Sequence, residues 1–167
     1  MVNATKRNEI EAAAKELLTS VYSDNEHISL PVDLAKILEN YNINLVYVKF
    51  KDKGISGAFD KEKNTIYVNT DDSFTRKSFT IAHELGHLIL HKDKPREFFY
   101  RLEIAQIAEE DREEDIEANL FAASLLMPES LIKKYWELTK DIDKLATIFG
   151  ASVPAVYFRL KNLHLKE

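Results

Sequence analysis

The sequence contains no cysteine. That excludes a disulfide framework, a cysteine nucleophile and any thiolate metal site. A metal bound by this chain would have to be held by histidines and carboxylates. No run approaches the roughly 18 apolar residues of a membrane span. The first residues, Met1-Val2-Asn3-Ala4-Thr5-Lys6-Arg7-Asn8-Glu9, include no apolar leader region. The expectation is a cytosolic protein with no membrane partner. Positive charge is not in excess: the formal net charge is -5, which argues against nucleic acid as the principal partner. No internal repeat or low-complexity linker is visible. The 167 residues, 45% hydrophobic and 31% charged, suit one compact soluble domain, with or without a small appendage.

The most informative segment is His83-Glu84-Leu85-Gly86-His87. Histidines four apart on a helix lie one above the other, so both imidazoles can reach one metal ion. Glu84 lies about 100° of helix from His83, close enough to act as general base on a water at that ion. Ser73 is a suitable N-cap for the preceding residues. Phe74, Phe79, Ile81, Ala82, Leu85, Leu88 and Ile89 supply the apolar positions of a largely buried helix. Two histidines and a glutamate buried side by side cost free energy unless they are paired or bound to metal. The competing reading is an amphipathic helix with three incidental polar groups.

Around this helix the pattern is mixed. Helical spacing covers residues 4–22, and Pro31 opens a short helix ending near residues 40–42. Residues 43–50 alternate as a first strand. A hairpin follows, from residues 55–60 to residues 65–69 across the turn Lys61-Glu62-Lys63-Asn64. The last of these strands reads as a candidate exposed edge to which an extended peptide could add. After the motif helix come the aromatics Phe98, Phe99 and Tyr100. A long helix covers residues 109–126, and shorter ones cover 129–138, 142–149 and 152–163. The fold class is α+β: mostly helical, with a small three-stranded sheet beside the motif helix.

Catalytic zinc usually takes three protein ligands and keeps one position open. His91 continues the face of His83 and His87, but it stands about 12 Å along the axis from His83, too far to share an ion with both. Its expected place is the helix C-terminus, where a histidine interacts favourably with the dipole. No third histidine follows in the H-E-x-x-H-x-x-G-x-x-H pattern. The remaining source is Arg112-Glu113-Glu114-Asp115-Ile116-Glu117-Ala118-Asn119-Leu120-Phe121. Acids at a helix start are ordinarily a solvated face. Asp115 and Asn119, however, are four apart and face inward together, so one could coordinate the metal and the other hydrogen-bond a ligating histidine. Glu117 stands about 160° from Asn119 and is expected to face elsewhere.

Together, His83-Glu84-Leu85-Gly86-His87-Leu88-Ile89-Leu90-His91 and Glu117-Ala118-Asn119-Leu120-Phe121-Ala122-Ala123-Ser124-Leu125-Leu126-Met127-Pro128 resemble the ImmA/IrrE family of metallopeptidases over roughly residues 30–130. The family's second helix resembles E-x-E-A-N-x-F-A-x-x-L-L-M-P, and its first Glu is the zinc ligand. Here that position holds Asp115, one methylene shorter, with Glu114 as the adjacent alternative. The resemblance implies a zincin-like domain over residues 1–130, with Zn2+ held by His83, His87 and Asp115 and Glu84 as the general base. A His/carboxylate site also admits manganese or iron. The implied activity is endopeptidase cleavage of a protein substrate, a helix-turn-helix transcriptional repressor.

The segment from residue 131 to residue 167 reads as a helical, helix-turn-helix-like appendage packed on the same domain. Leu145, Ala146, Gly150 and Val156 are spaced as that motif needs. Its second helix offers only Arg159 and Lys161 to phosphates, little charge for a DNA contact. The alternative to a peptidase is therefore a regulatory module that keeps the same fold and binds DNA or a repressor.

Overall fold

The computed structural model describes residues 2–23, 27–92, 98–101 (backbone only) and 112–166. The helices are α1 (Ala4–Val21), α2 (Leu34–Asn40), α3 (Phe74–Leu90), α4 (Arg112–Leu126), α5 (Glu129–Thr139), α6 (Ile142–Phe149) and α7 (Val153–Asn162). The strands are β1 (Asn44–Val48), β2 (Gly57–Asp60), β3 (Thr65–Asn69) and β4 (Phe98–Arg101). The architecture is α+β and mostly helical. Alongside the three expected strands stands β4, on the backbone of residues 98–101. The part of the expected long helix at residues 109–111 lies outside the described residues.

Local chemistry sets the element limits. Side chains of Asn3, Asp33, Ser73, Asp141 and Ser152 cap α1, α2, α3, α6 and α7, each accepting a hydrogen bond from a backbone N–H three residues on. Such a cap satisfies one of the donors orphaned at a helix start. The cap at Asp33 also explains why α2 begins at Leu34 rather than at Pro31. Gly150 ends α6 with φ 60°, and a Cβ there would stand 2.8 Å from Pro31 Cγ.

The sheet order is β1-β3-β2-β4. β1 runs parallel to β3, with Leu45 opposite Ile66, and β2 pairs antiparallel with both β3 and β4. β3 is therefore interior, paired on both sides. The expectation that it offers a free edge is wrong: among the described residues the edges are β1 and β4. Periodicity marks a strand but carries no information about which neighbour a later segment will pair with.

α3 crosses the sheet against β2 and β3 and packs its other side on α4, which in turn contacts α1 and α7. One continuous core results. Ile66 and Val68 from the sheet, Ile81 and Leu85 from α3, and Phe121 and Leu125 from α4 are all fully or nearly fully buried within it. Each such side chain contributes about 1.5–3 kcal/mol by burial. Leu145, Val156 and Leu160 of the last helices belong to the same cluster. No helix among the described residues is long and apolar enough to cross a membrane.

Candidate metal centre

The α3–α4 pair builds the site. Gly86 lets the two helices meet closely: a Cβ on it would lie 3.1 Å from both Cα and O of Ala118 and 3.2 Å from Phe121 Cδ1. Backbone thus rests on backbone one turn beyond His83, which brings the start of α4 against the histidines. On the opposite side of α3 the sheet approaches as closely. A Cβ at Gly57 would stand 2.3 Å from Thr80 Cγ2 and 2.9 Å from the Tyr67 carbonyl oxygen, with Glu84 Oε1 at 3.8 Å. His83 and Glu84 are fully buried, and His87 is nearly so.

The structure brings His83, His87 and Asp115 together, their candidate ligand atoms lying within 4.8 Å of one another. His83 Nε2 stands 3.1 Å from His87 Nε2 and 3.2 Å from Asp115 Oδ1. Ligand atoms at tetrahedral positions about 2.0–2.1 Å from a zinc ion are separated by about 3.3 Å, so these two spacings are of the right size.

Hydrogen bonds around the three groups decide where their protons sit. The Asn119 amide donates from Nδ2 to Asp115 Oδ2 at 2.9 Å, since an ionised carboxylate only accepts. Its Oδ1 is then the atom 3.0 Å from His83 Nδ1, so that nitrogen carries the proton and His83 Nε2 is a lone pair. On the other histidine, His91 Nε2 lies 3.1 Å from Glu117 Oε2 and must donate to it. In a neutral ring the other nitrogen then accepts. His91 Nδ1 therefore receives the proton of His87 Nδ1, 3.1 Å away. His87 Nε2 is left as a second lone pair facing His83 Nε2. In this arrangement two imidazole nitrogens and a carboxylate oxygen converge, a donor set that zinc, manganese or iron all accept.

Two residues take part that sequence reasoning left out of the site. Glu117 was expected to face away, yet it is buried and holds His91, with Lys6 of α1 3.4 Å from the same oxygen. His91 caps α3 as expected, its backbone N–H bonded to the His87 carbonyl. It is also a buried partner of His87. The i, i+4 spacing of these two histidines was a usable signal for that contact; the position of Lys6 had none. Glu114, the alternative ligand, groups with His87 and His91 rather than with His83.

In the appendage, Arg159 is not aimed outward. It is 3% exposed and donates to the Met127 carbonyl, Ser124 Oγ and both carboxylate oxygens of Glu11.

A family model described as the IrrE N-terminal-like domain, peptidase M78, matches residues 38–161. "Uncharacterized immunity region protein 2" of Bacillus phage phi105 is 30% identical over 156 residues, covering 92% of this chain and 89% of the phage protein. "Radiation response metalloprotease IrrE" of Deinococcus radiodurans is 40% identical over 84 residues, which is 48% of this chain but 24% of that protein. A solved structure described as "Mycobacterium tuberculosis transcriptional regulator" superposes with a TM-score of 0.67 at 20% identity, covering 92% of this chain and 46% of that one; it shows a shared fold. The chain belongs to the IrrE N-terminal-like family of metallopeptidases.

Proposed function

We propose that this chain is a zinc-dependent endopeptidase of the cytosol whose substrate is a protein, specifically a helix-turn-helix transcriptional repressor. The observation that carries the reading is the convergence of His83 Nε2, His87 Nε2 and Asp115 Oδ1, with the buried Glu84 following His83 on α3. The family and the names of the two sequence relatives, a phage immunity protein and a radiation response metalloprotease, support a peptidase in a regulatory setting.

His83, His87 and Asp115 would hold the ion. Bound zinc supplies Lewis acidity, which lowers the pKa of water toward neutrality and polarises a carbonyl. Glu84 takes the proton of the attacking water and returns it to the leaving amine. Its burial strengthens every electrostatic contact it makes, because the local dielectric is low. Asn119 holds His83 and Asp115 in register, so the site is assembled before substrate arrives. A module that only bound DNA or a repressor would have no use for Glu84.

The test is incubation of the protein with the regulator encoded beside it, with and without a chelator, next to Glu84→Gln. The expected result is cleavage that requires metal and is lost in Glu84→Gln, while that variant keeps its metal. Absence of cleavage by metal-loaded protein, together with tight and salt-sensitive DNA binding, would replace the peptidase by the regulatory module.

A further inference from the structure

His91 is not among the ligand atoms of the proposed site, and nothing in the peptidase chemistry calls for it. It is nevertheless 7% exposed, and it is bonded on both ring nitrogens. With its Nε2 donating to a carboxylate, a neutral imidazole has its Nδ1 left as an acceptor. We propose that His91, gripped by Glu117, is a positioning residue that fixes the tautomer and ring angle of His87 for metal binding. This rests on the metal-centre reading above and deepens it.

The argument follows the protons outward from the site. His87 can offer Nε2 to a cation only if its own proton sits on Nδ1. That proton needs an acceptor, because a donor buried without one gives up its bond to water for nothing. His91 Nδ1, 3.1 Å away, is that acceptor. It accepts only while the His91 proton is on Nε2, where the Glu117 carboxylate holds it at 3.1 Å. Lys6 Nζ lies 3.4 Å from the same Glu117 oxygen and ties it to α1. The chain Lys6–Glu117–His91–His87 thus does for one ligand what Asn119 does for the other. The His87 ring stands tilted to that of His91 by 50° with centroids 5.3 Å apart, so the two rings are not stacked.

A different use of the same atoms is a second ion held by His87, His91 and Glu114. His87 would then have to ligate through Nδ1 as well, which requires it to lose both ring protons. The bond from His91 to Glu117 makes the hydrogen-bonded arrangement the better fit.

The experiment uses the whole chain and Zn2+ or Co2+ as the probe. Affinity is measured by competition with a chromophoric chelator, and folding of each variant by circular dichroism. His91→Leu, which deletes the acceptor, is expected to bind about 10–100-fold more weakly. His91→Gln, which keeps an oxygen for the His87 proton and an amide for Glu117, should restore most of that loss. Nitrogen-15 spectra of the zinc-loaded wild type carry the same test without mutation: protons on His87 Nδ1 and His91 Nε2, none on His91 Nδ1. The proposal is overturned if His91→Leu is folded and binds as wild type, or if the His91 proton is found on Nδ1. It is also overturned if wild type takes two ions and His91→Leu one. Wild type binding no metal would remove the metal centre itself, a result distinct from all of these.

Discussion

Oδ1 of Asn119 stands 3.0 Å from Nδ1 of His83, while Nδ2 of the same amide donates to Asp115 at 2.9 Å. One planar side chain therefore sets both the proton position of a histidine on α3 and the orientation of a carboxylate on its own helix. The two groups it bridges are the ones whose remaining atoms meet at 3.2 Å. Helix periodicity alone supplies half of this: Asn119 and Asp115 are one turn apart. The other half depends on the closeness of α3 and α4.

Replacing Asn119 by leucine keeps the number of side-chain heavy atoms and improves helix propensity, but it deletes both bonds. His83 Nδ1 loses its acceptor and Asp115 loses a donor. The expected outcome is a folded protein with about 10–100-fold weaker zinc affinity, read by chelator competition. Unchanged affinity would show that Asp115 and His83 are ordered by the ion alone.

Gly86 sits inside the metal-binding pentapeptide for a packing reason. Alanine there raises intrinsic helix propensity by about 1 kcal/mol, but its Cβ would press on the Ala118 backbone at 3.1 Å. Backbone cannot swing aside as a side chain can, and overpacking of this kind costs about 1–3 kcal/mol. Gly86→Ala is expected to be destabilised on balance, lowering Tm by a few degrees at about 2–4 °C per kcal/mol. It should also bind zinc more weakly, since α4 is pushed away from the histidines. A raised Tm in metal-free protein would mean that propensity wins and the helices have room.

The local parts of this molecule were legible in its sequence. Ser73 marks a helix start, Gly150 marks a turn, and the spacing of His83, Glu84 and His87 places them on one buried helix. Asp115 and Asn119 could be paired because four residues make a turn. What could not be read was long-range. The interior place of β3 depends on β1 docking in parallel beside it, across a separation that no periodicity encodes. Glu117 was assigned away from the site because it is about 160° round the helix from Asn119. That inference assumes a helix with one buried face. α4 instead buries about half its circumference against α1, α3 and α7: the buried stripe runs from Glu117 through Phe121, Leu125 and Ala118 to Ala122 and Leu126, while Glu113 and Ile116 stay exposed. Glu117 falls inside that wide stripe, at the margin opposite Asn119, and there it needs a partner, which His91 and Lys6 supply.

Arg159 provides a last test, on how the C-terminal helices are fastened. Its guanidinium joins three parts of the chain: Glu11 on α1, Ser124 on α4 and the Met127 carbonyl just after α4. Glu11 is 29% exposed, so water can take over part of its solvation when the arginine is removed. The Met127 carbonyl is in a buried residue and would be left without this donor. Removing one member of such a set costs about 1–3 kcal/mol for the orphaned group, below the 3–5 kcal/mol or so of a fully buried ion pair. Arg159→Met is therefore expected to lose about 2–3 kcal/mol, seen as an earlier urea midpoint with unchanged slope. Glu11→Gln should lose less. The double variant should lose less than the sum, because after the first change the second removes an interaction already gone. Additive losses would show that Arg159 contributes by packing its stem rather than by its charge. An Arg159→Met variant as stable as wild type would show that α7 is held by Val156 and Leu160 alone.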